Sequence, residues 1–212
     1  NRKIMDRGQL ITAIAYGKTY TYKVNYDGLH QAINSLAVLG ALLITKCDVE
    51  HGIKKLYNSV IPIGRGNRHN IIIEGKKSLL IDDSYNANPS SVAASLKSLK
   101  EIAGKNRKVL ILGEMGELGK FSLALHKNIY NYLISIDINL VIFVGKNTKD
   151  LYNLSKSTIE CTWLESTDKI VRKDIMQLIK PMDTILVKGS RYMKMELIIK
   201  FLIDKFKKKA SK

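Results

Sequence analysis

Three short apolar segments constrain the fold of this 212-residue chain more than any other feature. Each is followed by a glycine: they are Lys108–Leu112 before Gly113, Leu140–Val144 before Gly145, and Thr184–Val187 shortly before Gly189. Amphipathic patterns with helical spacing follow them, and a weaker unit runs from Cys161 into a helix over residues 168–179. Continuous apolar strands that alternate with helices are typical of a parallel sheet covered on both faces. The sequence therefore predicts an α/β fold with a ligand site at the carboxyl ends of the strands.

The first sixty residues have a different pattern. Residues 10–24 alternate as in a β-hairpin, and helical spacing follows from His30 to about Thr45. Asp48 is a plausible N-cap for a second helix that runs through Leu56. The stretch from Ile61 to Asn67 contains one proline and two glycines, which makes it the best domain boundary in the chain. We predict two packed bodies, residues 1–62 and 63–212.

Gly17-Lys18-Thr19 matches the last three residues of a phosphate-binding P-loop. Such a loop requires a glycine five residues before its Gly-Lys pair, and Thr12 occupies that position. It also requires a helix afterwards, whose first amides face the phosphates, whereas a Thr/Tyr strand pattern follows here. We therefore predict a hairpin turn and no P-loop in this sequence.

Composition excludes several classes of protein. No run of about 18 apolar residues is present, and the N-terminus has no apolar stretch of signal-peptide length, so we expect a cytoplasmic protein that does not enter the membrane. Cys47 and Cys161 are far apart without metal-ligand spacing, which predicts two reduced thiols and no metal site. The net charge of +16 is scattered, except for the block at residues 205–209, and indicates solvated surface; a basic nucleic-acid-binding α/β protein remains an alternative.

The segment Asp82-Asp83-Ser84-Tyr85-Asn86-Ala87-Asn88-Pro89 is the richest in polar side chains, and it lies between a strand that we predict at Lys77–Ile81 and a helix at Ser90–Ile102. Carboxylates, a hydroxyl and carboxamides on one strand-to-helix turn can bind hydroxyl and amide groups of a ligand. The alternative is ordinary turn chemistry, with Ser90 or Ser91 capping the helix.

This segment resembles the motif that opens the C-terminal domain of the Mur ligases. Four further segments resemble family motifs in the family's order: Gly28-Leu29-His30 with Asn34 and Ala37, Gly64-Arg65, Leu112–Gly119 with His126, and Leu186–Arg191. Gln31 stands where the first of these motifs usually has asparagine. The five matches span residues 28–191.

The resemblance implies three domains in a complete enzyme, of which this chain would hold two parts. Residues 1–62 would be the C-terminal remnant of the central ATP-binding domain, with an exposed apolar face where the rest of that domain is missing. Residues 63–212 would be the Rossmann-like C-terminal domain.

Site residues follow from the same resemblance. It implies ATP binding by Asn34, Arg65 and Asp83. It implies substrate binding by a second set of residues, which consists of Tyr85, Asn86, Asn88, Lys188 and Ser190. It assigns no catalytic residue and no metal ligand to this chain. We expect Asp83 and Lys188 to open on the same edge of the sheet.

The implied activity is ATP- and Mg²⁺-dependent addition of D-alanyl-D-alanine to UDP-N-acetylmuramoyl-tripeptide in peptidoglycan synthesis. Without a P-loop, we expect this chain alone to be inactive and to bind no nucleotide tightly; the missing N-terminal part would be its partner. A catalytically silent split or truncated relative that acts as a binding module is the second possibility.

Overall fold

The computed structural model describes residues 1–116, 118–167 and 174–206, apart from the side chains of residues 120, 122 and 123. The chain divides into two compact units, Asn1–Pro62 and Ile63–Lys212, which we call unit 1 and unit 2. The first half of the helix expected over residues 168–179 and the lysines at 207–209 lie outside the described residues.

Unit 1 consists of a three-stranded antiparallel sheet and two helices. The strands are β1 (Arg2–Ile4), β2 (Gln9–Ala15) and β3 (Lys18–Val24), and the helices are α1 (Leu29–Ile44) and α2 (Val49–Tyr57). The predicted hairpin is confirmed, because β2 pairs with β3 around Gly17, whose φ is +73°. Lys18 and Thr19 therefore begin a strand, not a phosphate-binding helix. Asp48 caps α2 as predicted, and its side chain accepts a hydrogen bond from the His51 amide.

Helix α1 buries only one of its sides. Ala32, Ser35 and Leu39 are buried, and the two apolar ones pack with Ile11, Tyr22 and neighbours in the core of unit 1. Four exposed apolar side chains are spaced along another side of the helix: Leu29, Ile33, Leu36 and Ile44 are 43–74% exposed. Soluble monomers rarely expose contiguous apolar patches of this kind. Unit 1 therefore has the exposed apolar face that the sequence led us to expect.

Unit 2 is built on a six-stranded sheet in the order β4-β5-β9-β6-β7-β8. Its strands are β4 (Asn67–Ile73), β5 (Lys76–Asp83), β6 (Lys108–Gly113), β7 (Leu140–Val144), β8 (Cys161–Leu164) and β9 (Thr184–Lys188). Five strands run parallel, which confirms the α/β fold, but the sheet is mixed because β4 pairs antiparallel with β5. A two-residue turn at Glu74 and Gly75, both with positive φ, connects these two strands.

Helices cover both faces of this sheet. They are α3 (Pro89–Ala103), α4 (Ser122–Ser135), α5 (Lys149–Ser155), α6 (Asp174–Leu178) and α7 (Glu196–Phe206). Along β6, Val109 and Ile111 pack in the cluster that includes α6 and α7, whereas Leu110 and Leu112 pack with α3 and α4. Successive side chains of a strand point to opposite faces, so a strand buried on both faces has to be apolar throughout.

The start of α3 corrects one expectation. The N-cap is Asn88, not Ser90 or Ser91: its Oδ1 accepts hydrogen bonds from the Ser91 amide at 2.8 Å and the Ser90 hydroxyl at 2.9 Å. The Ser91 hydroxyl accepts in return from the Asn88 amide at 3.0 Å, which completes a capping box. Pro89 at the first helical position needs no amide partner.

We expect Asn88→Ala to destabilise unit 2 by about 1 kcal/mol, because the first turn of α3 loses its cap. Trp163, the single tryptophan of the chain, lies in unit 2, so its fluorescence during urea denaturation measures the unfolding of that unit. Ser90→Ala is the matched control and should cost much less, since the Ser91 amide keeps its acceptor. Equal midpoints for Asn88→Ala and the native chain would show that the cap contributes nothing.

Residues 63–212 expressed alone should fold. The two core clusters on the faces of the sheet are made only of residues from unit 2, so their packing is retained in the fragment. The Trp163 urea transition of the fragment should be cooperative and have the midpoint that it has in the whole chain. A fragment without a cooperative transition would contradict the autonomy of unit 2.

Candidate functional site

The carboxyl ends of β5, β9 and β6 bring the polar residues of unit 2 together. Asp83, the last residue of β5, lies beside Lys188, the last residue of β9, and Lys188 lies beside Leu112 of β6. The expectation that Asp83 and Lys188 share one edge of the sheet is confirmed. We call this region, with the loops that follow the three strands, the strand-end site.

Lys188 and Asp83 form a buried ion pair at this edge. The Lys188 side chain is 3% exposed, and its ammonium donates to Asp83 Oδ2 at 2.7 Å and to the Asn86 carbonyl at 3.1 Å. The Ser95 hydroxyl, on α3, donates to the same carboxylate oxygen at 2.6 Å. No hydrogen bond from a described residue reaches Asp83 Oδ1. Because the Asp83 side chain is 20% exposed, this second oxygen is the one left for a ligand.

Ser190 links the loops of all three strands. Its hydroxyl accepts a hydrogen bond from the Gly116 amide at 2.5 Å and donates to the Ala87 carbonyl at 3.3 Å. Its amide donates to the Glu114 carbonyl at 2.8 Å. Ser190 is only 3% exposed. Lys188 and Ser190 therefore lie below the surface with their polar groups engaged inside the protein.

Glu114 is a central residue of this edge to which the sequence assigned no role. It is 7% exposed, and its carboxylate accepts from the Asn147 amide at 3.1 Å, from Asn147 Nδ2 at 2.6 Å and from the Tyr192 hydroxyl at 2.6 Å. Burial raises the pKa of Tyr192 well above its ordinary value, and the hydrogen bond to Glu114 raises it further. The sequence signal that could have identified Glu114 is its position, as a carboxylate directly after the apolar strand β6.

Gly145 makes room for this carboxylate. A Cβ atom at Gly145 would come within 2.5 Å of Glu114 Oε1, and the φ of Gly145 is +101°. Both the close approach and the backbone conformation require glycine at this position. The glycine after β7 thus permits the contact between the β6 and β7 loops.

Tyr85 is the main exposed feature of the site, with its side chain 44% exposed. The guanidinium carbon of Arg65 lies 4.5 Å from the centre of its ring, and that of Arg191 lies 5.8 Å from the same point. The Tyr85 amide donates to the Gly64 carbonyl at 3.0 Å, which holds the loop of Arg65 against the β5 loop. Arg65 and Asn86 are also exposed.

Of the remaining sequence-derived residues, Asn88 is the α3 cap described above, and Asn34 lies elsewhere. Asn34 is exposed on α1 of unit 1, where its Nδ2 lies 3.4 Å from Gln31 Oε1. The described parts of the chain contain no cluster of three His, Cys, Asp or Glu side chains that could bind a metal ion. Cys47 and Cys161 are free thiols.

No helix among residues 1–116, 118–167 and 174–206 is long and apolar enough to cross a membrane.

Several curated relatives of this chain share one name. The UDP-N-acetylmuramoyl-tripeptide--D-alanyl-D-alanine ligase of Rickettsia prowazekii is 34% identical over 81% of this chain and 37% of its own length. That of Buchnera aphidicola subsp. Baizongia pistaciae is 34% identical over 85% of this chain and 38% of its own length. This chain thus spans less than two fifths of the length of each of these two relatives.

Solved structures match the fold. A crystal structure of MurF from Acinetobacter baumannii has a TM-score of 0.82 at 22% identity and covers 96% of this chain, which corresponds to 44% of that protein. MurF ligase from Thermotoga maritima in complex with ADP has a TM-score of 0.76 at 23% identity and also covers 96% of this chain.

The family described as "Mur ligase, glutamate ligase domain" matches residues 67–191, which include the ion pair, Glu114 and Ser190 of the strand-end site. The match covers more than half of the 212 residues. The chain therefore belongs to the Mur ligase family.

Proposed function

We propose that this chain is the C-terminal part of an ATP-dependent ligase that joins D-alanyl-D-alanine to UDP-N-acetylmuramoyl-tripeptide. The observation that carries the proposal is that relatives named for this reaction match more than four fifths of the chain at 34% identity. The strand-end site supports it, because a partly exposed carboxylate oxygen, an exposed guanidinium and an exposed aromatic ring suit a nucleotide and a peptide.

For the nucleotide, we propose Asp83 and Arg65 in unit 2 and Asn34 in unit 1. The open Oδ1 of Asp83 can accept hydrogen bonds from ribose hydroxyls, while the Arg65 guanidinium can form paired hydrogen bonds with a phosphate. ATP would supply the phosphoryl group that activates the carboxylate of the tripeptide. The described residues offer no Mg²⁺ ligand cluster, so we propose that the metal is bound by the remainder of the ligase.

For the peptide substrates, the contacts divide the five residues suggested by the sequence into two groups. Tyr85 and Asn86 are exposed, and we propose that they contact substrate. Lys188 and Ser190 are buried with their side-chain polar atoms bound to other residues of unit 2, and the side-chain oxygen of the exposed Asn88 caps α3, so we propose that these three residues hold the loops in position. Lys188 would thus orient Asp83 rather than bind a substrate carboxylate.

We propose that the apolar side of α1 packs against the remainder of the ligase. Covering Leu29, Ile33, Leu36 and Ile44 would remove a large apolar surface from water, which favours association. A catalytically silent binding module is the second candidate function, and the observation that favours it is the absence of a P-loop from this sequence, since Gly17-Lys18-Thr19 forms a hairpin turn and the start of a strand.

The pure 212-residue chain should not turn over ATP, since the sequence contains no loop that could enclose a triphosphate. Steady phosphate release with ATP and Mg²⁺ would contradict this. Addition of the N-terminal part of the ligase, supplied as a separate chain, should restore ATP-dependent ligation of D-alanyl-D-alanine. A silent module would stay inactive in that mixture.

The Lys188–Asp83 pair should be energetically coupled in the chain itself. We expect Lys188→Met and Asp83→Asn each to lower the free energy of unfolding of unit 2, and the double variant to cost about 1–3 kcal/mol less than the sum of the two. We do not expect the larger coupling energy that a fully buried ion pair can have, because Asp83 is partly exposed.

Urea denaturation followed by Trp163 fluorescence measures this cycle. Lys194→Met is the control. Lys194 is an exposed lysine in the loop that follows β9, and its substitution should show no coupling with Asp83→Asn. Additive effects of Lys188→Met and Asp83→Asn would mean that Lys188 does not orient Asp83.

A further inference from the structure

A dipeptide that reacts through its amino group keeps a free carboxylate at its other end, which a cationic side chain of the enzyme can bind. Three cationic side chains contact Asp83 or the Tyr85 ring at the strand-end site: Lys188, Arg65 and Arg191. Lys188 is buried, and its charge is neutralised by Asp83 at 2.7 Å. Arg65 is the residue proposed for the nucleotide. Arg191, to which neither the sequence nor the comparisons assign a ligand, is left.

The two residues next to Arg191 in the chain are held by hydrogen bonds, whereas the Arg191 guanidinium is accessible. The preceding residue, Ser190, is held by the Gly116 amide and the Ala87 carbonyl, and the following residue, Tyr192, is held by the buried carboxylate of Glu114. The Arg191 side chain itself is 65% exposed. Because the loop is already ordered, binding of a ligand by Arg191 costs side-chain entropy but no ordering of the loop, which favours affinity.

Arg191 also has contacts that a ligand can share or replace. Its guanidinium lies 5.8 Å from the Tyr85 ring centre, so the ring limits the directions that the guanidinium can take. Its ion pair with Glu196, at 3.5 Å, is longer than a charge-assisted hydrogen bond. A substrate carboxylate that binds both nitrogens of the guanidinium fork would form the shorter, paired contacts and displace Glu196.

We propose that Arg191 is the subsite for the C-terminal carboxylate of the incoming dipeptide, with the Tyr85 ring beside it. The carboxylate accepts hydrogen bonds from the guanidinium, which leaves the amino group at the other end of the dipeptide free to react. The subsite would select substrates that carry a free carboxylate. This inference rests on the proposed function.

The test compares two amine substrates in the complete ligase of which these 212 residues form the C-terminal part. One is D-alanyl-D-alanine, and the other is its C-terminal carboxamide, which has the same size but no negative charge. In the native ligase the KM of the carboxamide should exceed that of the free acid by roughly tenfold to a hundredfold, as expected for one lost charge-assisted contact.

Arg191→Met should raise the KM of the free acid to about that of the carboxamide and leave the KM of the carboxamide unchanged. Arg191→Lys should recover part of the difference, because it restores the charge without the planar fork. Lys194→Met is the matched control, since it removes an exposed cation from the same loop, and its acid-to-amide ratio should remain native. Glu196→Gln should lower the KM of the free acid, because it releases the guanidinium from its ion pair.

The outcomes separate this inference from the proposed function. A ligase that joins D-alanyl-D-alanine but keeps its native acid-to-amide ratio in Arg191→Met overturns the subsite and leaves the proposed function intact. A complete protein that forms no amide bond with ATP, tripeptide and dipeptide overturns the proposed function, and the subsite with it. Trp163 fluorescence of each variant separates misfolding from lost recognition, and the partial recovery by Arg191→Lys gives a second readout.

Discussion

The ammonium group of Lys188 lies inside unit 2, and its charge there is stable only because Asp83 and the Asn86 carbonyl accept its hydrogen bonds. An uncompensated charge in such a place would cost several kcal/mol. The position of the β5 loop is therefore set by β9, a strand more than a hundred residues later in the chain. Asp83 can offer one defined oxygen to solvent because Lys188 and Ser95 engage the other.

Further contacts between the loops of different strands follow along this edge of the sheet. Ser190 connects the loops after β9, β6 and β5, and Glu114 connects those after β6, β7 and β9. Every one of these contacts joins different strand ends, so the loops form one network although they are distant in sequence. Tyr85 and Arg191 are therefore exposed on a surface whose shape is fixed by this buried network.

The sequence predicted much of this arrangement and missed the rest for identifiable reasons. Apolar runs before glycines locate the parallel strands, because a strand buried on both faces leaves no room for polar side chains. Strand β4 was missed because only its last three residues are consecutively apolar and its turn, Glu74-Gly75, lacks the Asn-Gly or Asp-Gly signal of a hairpin.

The candidate site, like the fold, could be predicted from the sequence only in part. The pattern of parallel strands placed Asp83 and Lys188 at one edge, but it could not show that Lys188 is buried or that Glu114 reaches Asn147 and Tyr192. Those facts depend on which strands are neighbours and how deep each side chain lies, and single-sequence patterns contain neither. Turn chemistry predicted a cap for α3, but the choice of Asn88 over its serine neighbours depends on where the first helical turn begins.

The hydrogen bond between Tyr192 and Glu114 has a consequence for how this edge responds to its surroundings. Burial and the adjacent carboxylate raise the pKa of the phenol far beyond its usual value, because loss of its proton would place two negative charges in contact. Tyr192 thus remains a donor over the whole range of acidity in which a cell lives. Loss of the Tyr192 proton therefore does not break, at neutral pH, the hydrogen bond that ties the loop of Arg191 to the buried carboxylate of Glu114.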